Sequence, residues 1–165
     1  PCRMRERCSA RFLMSSIMRE IIPPGGILHN HARRASRASE YSVPMIVSKR
    51  EHACLTVEHD GSTLVIDPGS FTAPFVVENL VAIVVTHEHA DHVTPEHLDR
   101  LLAAAREADP HREVALLAPA GVAAAHPDRP WHVVDAGDRV TAGPFTLAFS
   151  GGRHALIHRT IPVID

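Results

Sequence analysis

Apolar positions recur along this chain with two different spacings. Residues 45–49, 53–58 and 63–67 are short apolar bursts, followed by the continuous run Val81-Ala82-Ile83-Val84-Val85. Short runs of this kind, rich in Val and Ile and bounded by turn formers, read as strands. His59-Asp60-Gly61-Ser62 supplies a hairpin turn between the second and third, and Asp67-Pro68-Gly69 stops the third. The period then changes. Thr94-Pro95-Glu96 offers a hydroxyl cap, a proline at the first helical position and an acid in the first turn. Leu98, Leu101, Leu102 and Ala105 follow at i, i+3, i+4 and i+7, one apolar stripe on a helix that ends near Asp109-Pro110. Residues 113–118 read as a buried strand, 121–125 as a short helix and 131–136 as a strand. After the Gly137-Asp138 turn, residues 139–141 and 145–149 are strands again. This β-α-β-α-β succession predicts an α/β fold with helices covering a sheet face.

Residues 1–44 do not share that order. They are rich in Arg and Ser, contain the breaker Pro23-Pro24-Gly25-Gly26, and hold no sustained period beyond a short amphipathic stretch at 12–22. The expectation is a disordered or non-native leader at 1–44 and a domain at 45–165. An Arg-rich transit segment and a basic nucleic-acid-binding tail are the competing readings of the leader.

Composition narrows the class. A chain of 165 residues with 45% hydrophobic and 22% charged content supports one core, and 4% aromatic content makes that core aliphatic. Residues 1–44 carry eight Arg against three Glu, a net of +5. The remainder carries nine basic against sixteen acidic residues, a net of −7, and the two sum to the chain's −2. An acidic domain argues against a nucleic-acid groove there. Cys2, Cys8 and Cys54 form no Cys-x-x-Cys, so neither a disulfide framework nor a thiolate zinc site is indicated, and a cytoplasmic location is the default. No stretch approaches the roughly 20 apolar residues that span a bilayer, so no membrane partner is expected.

The chemistry is concentrated in Thr86-His87-Glu88-His89-Ala90-Asp91-His92, where three imidazoles and one carboxylate other than Glu88 follow directly on the apolar run. On an extended chain His87 and His89 point to the same side, and Asp91 and His92 arrive where the chain turns. Neutral imidazole and carboxylate are the ligands a borderline cation such as zinc takes. The plain alternative is a solvated His-rich loop.

Residues 87–92 match the His-x-His-x-Asp-His signature at every specified position, and the chain from 45 to 165 thereby resembles the metallo-β-lactamase fold superfamily. The resemblance implies the N-terminal half of an αβ/βα sandwich and a hydrolase of small-molecule substrates. Its water or hydroxide nucleophile would be activated by one or two divalent ions, with zinc expected. It places His87 and His89 in a first metal site with His154, which follows the strand 145–149 and the glycines Gly151 and Gly152; His158 competes for that place. Asp91 and His92 belong to the second site, Asp91 also orienting the nucleophile, and Glu88 is not a ligand. Asp67 either orients a metal-binding His through its far ring nitrogen or serves turn chemistry alone. His52 either faces the cleft or is an ordinary exposed residue, His97 is expected at the surface, and Arg153 either meets an anionic substrate or is solvated.

The family's bridging Asp and final His are not matched before the chain stops, and Asp165 is not assigned to either. The expectations are a truncated domain with a bare inner sheet face and self-association through it. The substrate could be an ester, lactone, amide, thioester or phosphodiester. The stretch around Gly151-Gly152-Arg153-His154 looks most like predicted zinc-dependent hydrolases related to the L-ascorbate-6-phosphate lactonase and phospholipase D-like branch, and less like secreted β-lactamases. An inactive metal-binding remnant is the alternative.

Overall fold

The computed structural model describes residues 43–152, 154, 159 and 160. Residues 1–42 of the predicted leader, Cys2 and Cys8 among them, and Arg153, His158 and Asp165 therefore lie outside the described residues. Eight strands and two helices are formed among the rest, in the order β1 (Ile46–Lys49), β2 (Leu55–His59), β3 (Ser62–Ile66), β4 (Leu80–Val84), α1 (Pro95–Ala108), β5 (Ala115–Ala118), α2 (Ala120–Ala125), β6 (Trp131–Val133), β7 (Arg139–Ala142) and β8 (Phe145–Ala148). β1 to β6 make one six-stranded sheet in sequential order, and β7 and β8 pair with each other.

The first three strands are antiparallel and the next three run parallel to β3. The change of sense has a local cause. Asp60 and Gly61 both adopt positive φ, 45° and 69°, in a two-residue turn that pairs His59 with Ser62, as a tight hairpin requires. Parallel pairing needs a longer crossover, and residues 67–79 and then α1 and α2 provide it.

β3, β4 and β5 are buried on both faces, which is why they read as unbroken apolar runs. Val65, Ile83 and Leu116 pack with Leu98, Leu101, Leu102 and Ala105 of α1 and Val122 of α2. Their sequence neighbours Leu64, Ala82, Val84 and Leu117 point the other way and pack with Ala142 and Phe145 of the β7–β8 hairpin. The inner face expected to be bare is therefore covered over β3, β4 and β5. Among the described residues, exposed large apolar side chains occur on the edge strand at Ile46 and Val47, at the neighbouring Val43 and Met45, and at Phe71, Val76 and Val133.

α1 begins where its signals place it. Thr94 accepts from the His97 amide at 3.3 Å, and Pro95 and Glu96 follow. The buried stripe is Leu98, Leu101, Leu102 and Ala105, as the spacing predicts, with His97 added. Burying each Leu contributes about 1.5–3 kcal/mol relative to exposure, which secures a helix too short to be stable in isolation. His97 is not at the surface: its Nε2 donates to the Thr72 carbonyl at 3.0 Å, and its ring lies 5.9 Å from that of Phe75. The side chain ties the 67–79 crossover to α1.

Candidate metal centre

Parallel strands send their carboxyl ends to one edge of a sheet, the usual place for a site in such folds. Here that edge collects Asp67 after β3, residues 85–92 after β4, Pro119 to Gly121 after β5, and Val134 to Ala136 after β6. Because Leu55 at the start of β2 pairs with Ile66 at the end of β3, the β1–β2 loop arrives at the same edge and brings His52 with it.

The loop after β4 is not an extended strand. β4 stops at Val84, and the amides of His92 and Val93 both turn back to the His89 carbonyl at 2.9 and 3.1 Å. The expected strand alternation of His87 and His89 therefore does not occur. A folded loop brings their rings together instead, with His87 Nε2 and His89 Nδ1 3.0 Å apart. His154 closes the group, its ring centroid 4.7 Å from that of His87 and 5.2 Å from that of His89. One ligand nitrogen from each lies within 4.8 Å of the others. A tetrahedral ion bound at about 2.0–2.1 Å would space its ligand nitrogens by roughly 3.3 Å, so His87 Nε2 and His89 Nδ1 would need to part by only a few tenths of an ångström.

In a second group, one ligand atom from each of His52, Asp91 and His92 lies within 4.8 Å of the others. His52 Nε2 is 2.7 Å from Asp91 Oδ2, and His92 Nε2 is 3.7 Å from that oxygen. His52, expected either to face the cleft or to be an ordinary exposed residue, is exposed and lies against Asp91.

One carboxylate organises both groups. Asp67, only 4% exposed, accepts from the Thr86 amide at 2.7 Å, the Thr86 hydroxyl at 2.8 Å and His92 Nδ1 at 2.8 Å. With its proton given to Asp67, the Thr86 hydroxyl is left to accept from His87 Nδ1 at 3.0 Å. Both far nitrogens are thereby protonated, and Nε2 of His87 and of His92 each presents a lone pair to its group. Asp67 acts on His92 directly and on His87 through Thr86, a residue the sequence reading passed over although it adjoins the signature.

Electrostatics favours the ligand-competent forms. Burial pushes the His87 imidazole below its usual 6.5, and the neighbouring rings of His92, His89 and His154 add to this, so it is neutral at pH 7. Partial burial raises the Asp91 carboxyl, but its own backbone amide, the His52 hydrogen bond and the charges of His92 and His52 outweigh this and hold it below the usual 3.8. Metal ligands must be deprotonated before they bind, and both shifts act in that direction.

Backbone packing holds the loop down. A Cβ on Gly69 would overlap the Asp91 carbonyl, and the Ser70 amide donates to the Ala90 carbonyl at 2.8 Å. The Asp-Pro-Gly turn thus supplies both the orienting acid and the gap under the loop. Beside the three-His group a cleft of about 610 Å³ runs between residues 84–88, 119–121, 133–136 and 149–152. Glu88 lines it, belongs to neither cluster and packs on Gly121.

The described residues form an α/β sheet with three imidazoles at the carboxyl end of its parallel strands, beside a second imidazole–carboxylate group, and both groups could hold a metal ion. A family model described as a beta-lactamase superfamily domain matches residues 47–158, and the chain belongs to that superfamily, with the metallo-β-lactamase fold. It is 37% identical over 119 residues to protein Rv0786c of Mycobacterium tuberculosis H37Rv, an alignment covering 69% of this chain and 51% of that protein. The chain thus spans about half the length of this curated relative. A crystal structure from Parabacteroides distasonis ATCC 8503, described as that of a metal-dependent hydrolase, aligns with a TM-score of 0.53 at 17% identity, over 70% of this chain and 49% of the other. That likeness supports the fold. No helix among the described residues is long and apolar enough to cross a membrane.

Proposed function

We propose that this chain carries the metal centre of a metal-dependent hydrolase acting on a small ester, lactone or phosphodiester. His87, His89 and His154 would hold a first divalent ion, with zinc expected, and Asp91 and His92 would contribute to a second. The observation that carries this reading is the convergence of the three rings, with the far nitrogen of His87 already engaged by Thr86. A solvated His-rich loop would need neither the convergence nor the buried acid behind it.

The donor set suits the ion. His87, His89 and His154 would hold the ion through three imidazoles and leave it a ligand position for water, as catalytic rather than structural zinc has. A bound divalent ion would supply a water whose pKa is lowered to about 7, together with polarisation of a carbonyl or phosphoryl oxygen. The protein supplies the rest. The cleft alongside His87 and His154 receives the substrate, and Gly151 and Gly152 leave its wall without side chains. Asp91, held ionised, would orient the nucleophile and could pass a proton to the leaving group. Asp67 and Thr86 keep the rings in the tautomer that these steps need.

The test combines elemental analysis with turnover. Purified chain should retain zinc that His87→Ala loses, and should hydrolyse a member of an ester, lactone and phosphodiester panel. Zinc retention without turnover on any member would establish the inactive remnant instead. Wild-type protein without bound metal after zinc loading would overturn both readings.

A further inference from the structure

The signature supplies Asp91 and His92 to the second group, and a third side chain reaches the same carboxylate. We infer that His52 is the third ligand of that position, so that the chain builds two unlike metal sites: one of three imidazoles, and one of two imidazoles and a carboxylate. This rests on the metal-dependent reading above and extends it to a residue 39 positions before its partner Asp91.

Three independent features support the assignment. His52 Nε2 and His92 Nε2 both approach the Asp91 carboxylate, and one ligand atom from each of the three residues falls within 4.8 Å of the others. Asp67 occupies His92 Nδ1, so His92 Nε2 has no competing task and faces the group. His52 is held in place from outside: its backbone takes a positive φ of 51°, uncommon for a residue with a side chain, and its ring stands edge-on to Phe71 at 5.1 Å. Such backbone geometry persists where the surroundings impose it, and here it turns the imidazole over the loop toward Asp91. Inserting an ion at about 2.0–2.2 Å from each atom replaces the direct His52–Asp91 hydrogen bond by two metal–ligand bonds. Two imidazoles and one carboxylate leave coordination positions free for water and substrate.

The competing account is that His52 only hydrogen-bonds Asp91. The two separate in zinc stoichiometry, read by equilibrium dialysis with elemental analysis and by calorimetric titration with zinc alone, on wild type, His52→Ala, His52→Gln, His92→Ala and His87→Ala. Gln at 52 can still donate to Asp91 but is a poor ligand, and circular dichroism checks that each variant is folded. The expected result is two equivalents in wild type and one in His52→Ala, His52→Gln and His92→Ala. The lost site should weaken by more than the roughly 10- to 100-fold that removal of an outer hydrogen bond causes. Two equivalents retained by folded His52→Gln would overturn the assignment, as would a single equivalent in wild type that His87→Ala abolishes and His52→Ala leaves intact. No zinc in wild type would instead overturn the metal reading itself.

Discussion

Replacing Asp67 by Asn tests the organisation of the site without removing a single ligand. Asn is nearly isosteric and tolerates the positive φ of 49° at this position, so the backbone is not strained by the change. Its Oδ1 can still accept from the Thr86 amide. Its Nδ2, however, is a donor facing the Thr86 hydroxyl and His92 Nδ1, both of which donate to the native carboxylate. Satisfying that donor forces His92 to carry its proton on Nε2, the nitrogen that the second group needs free. Two charge-assisted hydrogen bonds, each contributing about 1.5–3 kcal/mol, become neutral or mismatched ones. Rearranged Asn contacts recover part of this, so the expected loss of stability is about 1–3 kcal/mol, or roughly 4–12 °C in Tm for a domain of this size. Zinc affinity should fall about 10- to 100-fold, as for other outer partners of metal-bound His. Scanning calorimetry of the metal-free chain measures the first effect and zinc titration the second, while nitrogen NMR of the His92 ring reports its tautomer. Wild-type zinc affinity with His92 still protonated at Nδ1 would refute the reasoning.

Thr86→Val removes the hydroxyl that links Asp67 to His87, and zinc titration should show weaker binding at the three-His group with little change in fold. Gly69→Ala should destabilise the loop over residues 90–92 and lower metal retention, because backbone rather than a mobile side chain occupies the space a Cβ needs; wild-type Tm and zinc content would contradict that. Leu98→Ala, a fully buried position in the helix–sheet layer, should cost about 2–5 kcal/mol in denaturant unfolding. Acid should lower the Tm of the metal-free chain. The folded His87 value is depressed, so its contribution is present above 6.5 and is lost as pH falls from there through that depressed value. The folded Asp91 value is also depressed, so its contribution is present above 3.8 and disappears as pH falls through its own lowered value. A differential scan with chelator at a series of pH values checks this, and a Tm that rises between pH 7 and pH 6 would contradict it.

The order of strands and helices and the capped start of α1 follow from the sequence alone, because each rests on local rules: a period of two or 3.6, a two-residue turn with Gly61, a hydroxyl before Pro95. The candidate ligands at 87–92 were legible for the same reason, four functional groups lying within six consecutive positions. Contacts between distant segments were not. Nothing near His97 announces the Thr72 carbonyl that buries it, and strand alternation suggested the right neighbours, His87 and His89, through a geometry the chain does not adopt. The place of His52 depends on β2 running antiparallel to β3, and the link from Asp67 through Thr86 to His87 depends on two strand ends lying side by side. Local periodicity fixes which residues form each element; only the packing of those elements decides which side chains, tens of positions apart, converge on one edge of the sheet.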